Sequence, residues 1–180
     1  MRDEDVRIYS SKTDKQSSDV SKILDDMREH RNNGNLTRAR ELGKALGKYE
    51  PDFEKLVSQR FLKPDIMYQL KVLFVFCAEA NLQTGVYDPL LYTTAINAMY
   101  EEIQSTQEGF YKNISDGVAY SFYYSEMRKG GDVAANIGKA FAMLCSANGS
   151  ESFAKTGAEL YGVFSETVEK EIEKTGFVQI

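Results

Sequence analysis

The fold is decided by residues 66–82, IMYQLKVLFVFCAEANL, in which apolar side chains occupy nearly every side of a helix. Pro64 suits the first turn of that helix, where an amide hydrogen has no helical partner. A helix that is apolar all round is typical of an element surrounded by others. Its longest apolar run, 72–78, has seven residues, against the ~20 that span a bilayer. We therefore expect a central buried helix and no membrane span.

Amphipathic helical patterns continue on both sides of this run, and no alternating strand pattern competes with them. Connections of about two to six residues favour antiparallel neighbours. The sequence therefore predicts an all-α domain over 18–180, after a polar leader at 1–17 that we expect to be mobile. Seven or eight helices form either an array of helical hairpins or a compact orthogonal bundle. The flanking helices are expected at about 19–32, 36–49, 53–61, 89–107, 108–129, 133–144 and 153–175.

Glycines fall into two groups along this pattern. One group lies between the helical runs, where it indicates helix ends; its members are Gly34, Gly85, Gly109, Gly130, Gly131, Gly149 and Gly176. The other group lies inside the runs, where each glycine costs about 1 kcal/mol relative to alanine and so predicts close helix packing or a cleft. Its members are Gly43, Gly47, Gly117, Gly138, Gly157 and Gly162.

Composition narrows the class of protein. The net charge of -5 argues against a nucleic-acid partner, because such proteins normally carry a basic footprint. The first residues lack the apolar segment of a secretory signal, so we expect a cytoplasmic protein. Cys77 and Cys145 each lie among apolar residues, which predicts two buried thiols and no disulfide.

Residues 34–39, GNLTRA, together with Leu42 and Pro51, resemble the second half of a tetratricopeptide repeat. That family places a glycine and an amide at the turn, an alanine five residues after the glycine and a proline twelve residues later. The resemblance covers residues 20–52, and it fails at Met27 and His30, where the family has a small and an aromatic residue. It implies a hairpin-stacking interaction protein and no catalytic residues.

Residue types exclude most known chemistries. The chain has one histidine and two cysteines, too few for a zinc site of four such ligands or for a ferritin-type di-iron site. His30 lies among charged residues at a helix end, where we expect it to cap the helix in contact with water. No glycine loop has the lysine of a phosphate-binding loop. We therefore expect a non-enzymatic protein without metal or cofactor.

Two surface features point to binding. Residues 28–48 contain six basic and two acidic residues, and within them Arg31, Arg38 and Lys44 are candidates for contact with an acidic partner. The run 120–124, YSFYY, puts aromatic side chains on all sides of a helix. Tyr120, Tyr123 and Tyr124 therefore either line a ligand pocket or form a tyrosine-rich core.

These observations predict a cytosolic, non-catalytic interaction or scaffold domain with a protein partner, and a homodimer is left open. The alternative is a helical protein that binds a small apolar or aromatic ligand between its helices.

Overall fold

The structure is a computed structural model that describes residues 10–179, with side-chain environments from residue 21 onward. All regular structure in that range is helical, which confirms the all-α prediction. The α-helices are α1 Ser10–Asn32, α2 Asn35–Lys48, α3 Phe53–Leu56, α4 Pro64–Gly85, α5 Pro89–Thr106, α6 Glu108–Ile114, α7 Val118–Arg128, α8 Val133–Leu144 and α9 Glu151–Thr175, and a 3-10 helix covers Gln59–Phe61.

The central helix is α4, as its sequence predicts. Leu70, Val72 and Leu73 are fully buried on different sides of it, because α5, α7, α8 and α9 all pack around it. Helix α2 packs mainly on α5 and also reaches α9, so elements distant in sequence are neighbours in space. Of the two expected arrangements, this contact pattern is that of a bundle around α4.

The predicted helix starts are confirmed at the two positions where an aspartate caps the helix. The Asp88 carboxylate accepts hydrogen bonds from the first turn of α5, and the Asp132 carboxylate does the same for α8. Helix α1 differs, because it begins at Ser10 and not near residue 19. Residues 10–17 of the expected leader are therefore helical, and residues 1–9 lie outside the described range.

The predicted sixth helix, 108–129, divides into α6 and α7 at residues 115–117. Gly117 has a φ of 72°, which is the left-handed conformation that glycine adopts without steric cost. The Asp116 side chain accepts a hydrogen bond from the Val118 amide, 3.0 Å away, just after the turn. Our placement of Gly117 in a helix interior is therefore wrong.

Four of the helix-interior glycines do mark close packing. Gly43 and Gly47 lie against the backbone of α5, and Gly138 and Gly157 lie at the contact between α8 and α9. A methyl group on Gly157 would lie 2.6 Å from the Phe141 Cβ. Gly162 is different, because no atom lies within 4 Å of the position that a Cβ would take there.

Both cysteines are free thiols, as predicted. Cys77 is buried, and Cys145 is only half-buried. Burial raises the pKa of the Cys77 thiol far above its ordinary value, and that of Cys145 to about 12. A raised pKa disfavours the thiolate, which is the reactive form of a cysteine. No helix in the described part of the chain is long and apolar enough to cross a membrane.

Candidate interaction surface

The three tyrosines of residues 120–124 lie inside the bundle. Tyr123 is fully buried, Tyr120 is nearly so and Tyr124 is half-buried. Tyr123 stacks on Phe76 of α4, with ring centroids 5.1 Å apart. Of the two interpretations of this run, burial supports the tyrosine-rich core.

Glu79 of α4 holds a tyrosine cluster together. Its carboxylate accepts hydrogen bonds from Tyr100 of α5, at 2.6 Å, and from Tyr124 of α7, at 2.8 Å. The Tyr100 and Tyr120 hydroxyls are 2.7 Å apart. Burial, together with the hydrogen bond to Glu79, raises the pKa of Tyr100 and of Tyr124 far above the ordinary value. The cluster therefore joins three helices with its hydroxyl groups already engaged.

Helix α1 presents an apolar face that the bundle does not cover. The exposed fractions are 58% for Ile23, 48% for Leu24 and 36% for Met27. These residues have the same helical spacing as residues that are buried in the other helices. We call this set the α1 face. It is exposed because α1 meets α2 near the turn that joins them and makes few contacts with the other helices.

The predicted basic residues have different surroundings. Arg31 and Lys44 are exposed, and neither has a carboxylate ion-pair partner among the described residues. Arg38 is partly buried and donates to the Asn33 carbonyl, at 2.8 Å, and to the Asn35 side chain, at 3.3 Å. Arg38 therefore has a structural role in the turn between α1 and α2, while Arg31 and Lys44 remain available for a partner.

His30 is the main surprise of this region, because only 2% of its side chain is exposed. The expectation of a hydrated capping residue is therefore wrong. Its Nδ1 lies 3.3 Å from the Asn35 Nδ2, and its Nε2 lies 3.1 Å from the Asp88 Oδ2. The Asn35 Nδ2 can only donate, so the His30 Nδ1 is the acceptor in this contact. The proton of the neutral ring is therefore assigned to Nε2, which faces Asp88.

Asn35 connects His30 to the other end of the chain. Its side chain is fully buried. The Asn35 Nδ2 donates to the Val178 carbonyl at 2.7 Å, and the Asn35 Oδ1 accepts from the Val178 amide at 2.9 Å. Residues 177–179, which we call the tail, are thus held by their backbone against the start of α2. His30 shares a helical face with Ile23 and Met27, but those two residues are exposed, so sequence spacing does not indicate that His30 turns inward.

A surface groove lies between α4, α7 and α8. It comprises two adjoining clefts of about 530 and 320 Å³ that share Tyr68, Gln69 and Leu144 in their walls. Phe122 lines it and is 47% exposed. Ser146, also in the wall, has a φ of 56°, which is uncommon for a residue other than glycine.

Comparison of the chain with protein-family models, curated proteins and solved structures found no significant match. In the described part of the chain, no three side chains of histidine, cysteine, aspartate or glutamate are grouped so that they could hold a metal ion.

Proposed function

We propose that this chain is a cytosolic protein-interaction domain without catalytic activity, and that helix α1 is its partner-binding element. The observation that carries the proposal is the exposure of Ile23, Leu24 and Met27, three apolar residues on one face of α1. A contiguous exposed apolar surface of this kind is typical of protein interaction sites. The tetratricopeptide-like spacing of residues 20–52 agrees with such a role.

The spacing of the α1 face favours one mode of recognition. Ile23, Leu24 and Met27 follow one another at positions i, i+1 and i+4 of one helical face. An amphipathic helix with these anchors typically inserts into an apolar groove of its partner. We therefore propose that the partner is a different protein that carries such a groove.

The basic residues near the α1 face favour a partner whose apolar groove has an acidic rim. Arg31 follows the α1 face on the same helix, and Arg40 and Lys44 are exposed on the neighbouring α2. Complementary charges of this kind increase the association rate and fix the orientation more than they add affinity. Salt is therefore expected to slow association with the partner.

The test is site-specific photo-crosslinking in cells. A photoreactive phenylalanine analogue at Leu24 is expected to yield a discrete crosslinked product. The same analogue at Val163, which is 40% exposed on α9, is the matched control and is expected to yield none. Replacing Ile23 and Met27 by glutamine should abolish the product without changing helicity, because exposed side chains contribute little to stability.

Two results would contradict the proposal. Equal crosslinking from Leu24 and Val163 would show that the α1 face is not a specific surface. A product of twice the chain mass would identify a second copy as the occupant and exclude the groove-bearing partner. Replacing Arg31 and Lys44 by glutamate should reduce the amount of crosslinked product, and the reduction should be larger at low salt than at high salt.

A second candidate is the binding of a small aromatic or apolar ligand. The groove between α4, α7 and α8 supports it, because the exposed Phe122 lines one of its two clefts and the left-handed Ser146 lines the other. Tyr120, Tyr123 and Tyr124 would then support the groove from the core. A ligand that raises the melting temperature of the parent protein but not of Phe122→Ala would establish this function, and equal shifts would exclude the groove.

A further inference from the structure

The contact between Asn35 and the tail has the geometry of peptide recognition. One carboxamide both donates to the carbonyl and accepts from the amide of Val178. These two bonds read the backbone of an extended segment and no particular side chain at that position. A buried asparagine left without such a partner loses hydrogen bonds that are expensive to leave unmade. The tail therefore satisfies both polar atoms of the buried Asn35 side chain.

The surroundings of Asn35 are built to hold it in position. His30 accepts from the same Nδ2, while Arg38 donates to the Oδ1 at 3.3 Å. The backbone amide of Asn35 donates a hydrogen bond to the Asn33 Oδ1, 3.0 Å away. Both His30 and Asn35 are almost completely buried. These hydrogen bonds to both polar atoms of the Asn35 side chain fix one orientation of the carboxamide.

Space for a longer segment continues beyond Asn35. A cleft of about 410 Å³ runs beside the tail between the end of α1 and the start of α5. Leu91 and Pro89 form its apolar wall, and Tyr87 stands at its rim with 94% of its side chain exposed. Exposed tyrosines beside apolar pockets are frequent anchors of protein interfaces.

The tail is attached so that it can leave. Helix α9 ends at Thr175, and Gly176 follows with a φ of 59°, a conformation that few residues other than glycine adopt. Phe177 packs on the apolar core as a partly buried residue, and Val178 is 45% exposed. Gly176 therefore separates the tail from the last turn of α9.

We propose that the Asn35 site is a peptide-binding site that the chain's own tail occupies in cis. Its ligand in trans is an extended segment of a partner protein in which an aromatic residue precedes the residue that bonds to Asn35, as Phe177 precedes Val178. The tail is then a competing internal ligand. This inference concerns a surface other than the α1 face and does not rest on the proposed function.

The expected affinity of an external peptide follows from its competition with the tail for the Asn35 site. A short tether gives the tail an effective concentration in the millimolar range. If the tail is docked about nine-tenths of the time, the same segment in trans binds with a Kd on the order of 0.1–1 mM. An external peptide then sees only about one-tenth of the sites free, so it binds the parent chain about tenfold more weakly than a tail-released chain.

The experiment uses the full chain and a peptide of residues 174–179, KTGFVQ. The tail-release variant carries Phe177→Ala and Val178→Pro, because proline has no amide hydrogen to donate to Asn35. The matched control is Val178→Ala, which shortens the side chain and keeps the amide. Binding is followed by NMR at the Asn35 side-chain amide, and circular dichroism verifies folding.

The peptide is expected to bind the tail-release variant at least tenfold more tightly than the parent or the Val178→Ala control. The peptide KTGFPQ should bind at least fivefold more weakly than KTGFVQ. Replacing Ile23 and Met27 by glutamine in the tail-release variant should leave the peptide affinity unchanged, which separates this test from that of the α1 face.

The proposal is overturned if the tail-release variant does not bind KTGFVQ, or if it binds both peptides equally. Equal affinity of the parent and the tail-release variant would also overturn the competition in cis. A parent chain that is dimeric, and that becomes monomeric in the tail-release variant, would assign the site to the tail of a second copy in place of a partner protein.

Discussion

Adjacent tyrosines of α7 differ in how their hydroxyl groups are satisfied. Tyr124 donates to Glu79, with 2.8 Å between the oxygens. The Tyr123 hydroxyl is buried, and it has no hydrogen-bond partner among the described residues. A buried hydroxyl without a partner costs free energy, whereas one bonded to a carboxylate contributes to stability. The hydroxyl group therefore lowers the stability of the fold at Tyr123 and raises it at Tyr124.

We predict that Tyr123→Phe leaves the free energy of unfolding unchanged or raises it by up to about 1 kcal/mol. Tyr124→Phe should lower it by about 1–3 kcal/mol, because the hydrogen bond to a charged group is lost. Urea titrations of the two variants and the parent measure both effects. A loss above about 1 kcal/mol for Tyr123→Phe would show that its hydroxyl has a partner, such as a bound water.

At the scale of elements, apolar spacing predicted the helices well. The run 66–82 identified α4 as the central element, because a helix without a polar side must be enclosed. Asp88 and Asp132 identified the starts of α5 and α8 through their capping chemistry. Such local rules depend on residues close in sequence, and they can therefore be applied to a single chain.

Features set by distant parts of the chain were not predictable in this way. The spacing of Ile23, Leu24 and Met27 indicates an apolar face, but only the packing of α1 decides that this face stays uncovered. His30 is buried because α5 and the tail surround it, although its sequence neighbours are charged. Val178 lies 143 positions from its partner Asn35, and no local pattern connects them.

The contact between α8 and α9 gives an element-scale test with a matched pair of glycines in one helix. Gly157→Ala should destabilise the protein by about 1–3 kcal/mol, because its Cβ would lie 2.6 Å from the Phe141 Cβ and overpack the contact. Gly162→Ala should stabilise it by about 0.5–1 kcal/mol, since alanine favours the helix and no atom lies within 4 Å. Thermal and urea unfolding measure the pair. Equal effects at the two positions would contradict the packing of α9.

At the scale of the whole molecule, one polar network joins the two ends of the described chain. Asp88 begins α5, His30 ends α1, and Asn35 begins α2 while holding Val178 of the tail. Three helices and the tail therefore meet at charged or polar groups. Because this network contains a carboxylate, the stability of the molecule depends on pH there.

Partial burial raises the pKa of Asp88, but hydrogen bonds from the Leu91 amide, from His30 and from the Leu90 amide outweigh it, and the pKa lies below its ordinary value. A carboxyl group with a lowered pKa in the folded state stabilises the fold above the unfolded value of about 3.9. That contribution is lost as the pH falls through the lower, folded pKa.

We therefore predict that Asp88→Ala lowers the free energy of unfolding at pH 7 by about 1–2 kcal/mol, because it removes the cap of α5. Asp88→Asn should lower it less at the same pH, since asparagine caps a helix equally well but carries no charge. Below pH 5, the stability of the parent should fall more steeply than that of Asp88→Asn, so the two converge in acid. Urea titrations between pH 7 and pH 2 measure this difference. Parallel curves for the parent and Asp88→Asn would show that the Asp88 charge does not stabilise the junction between α1, α5 and the tail.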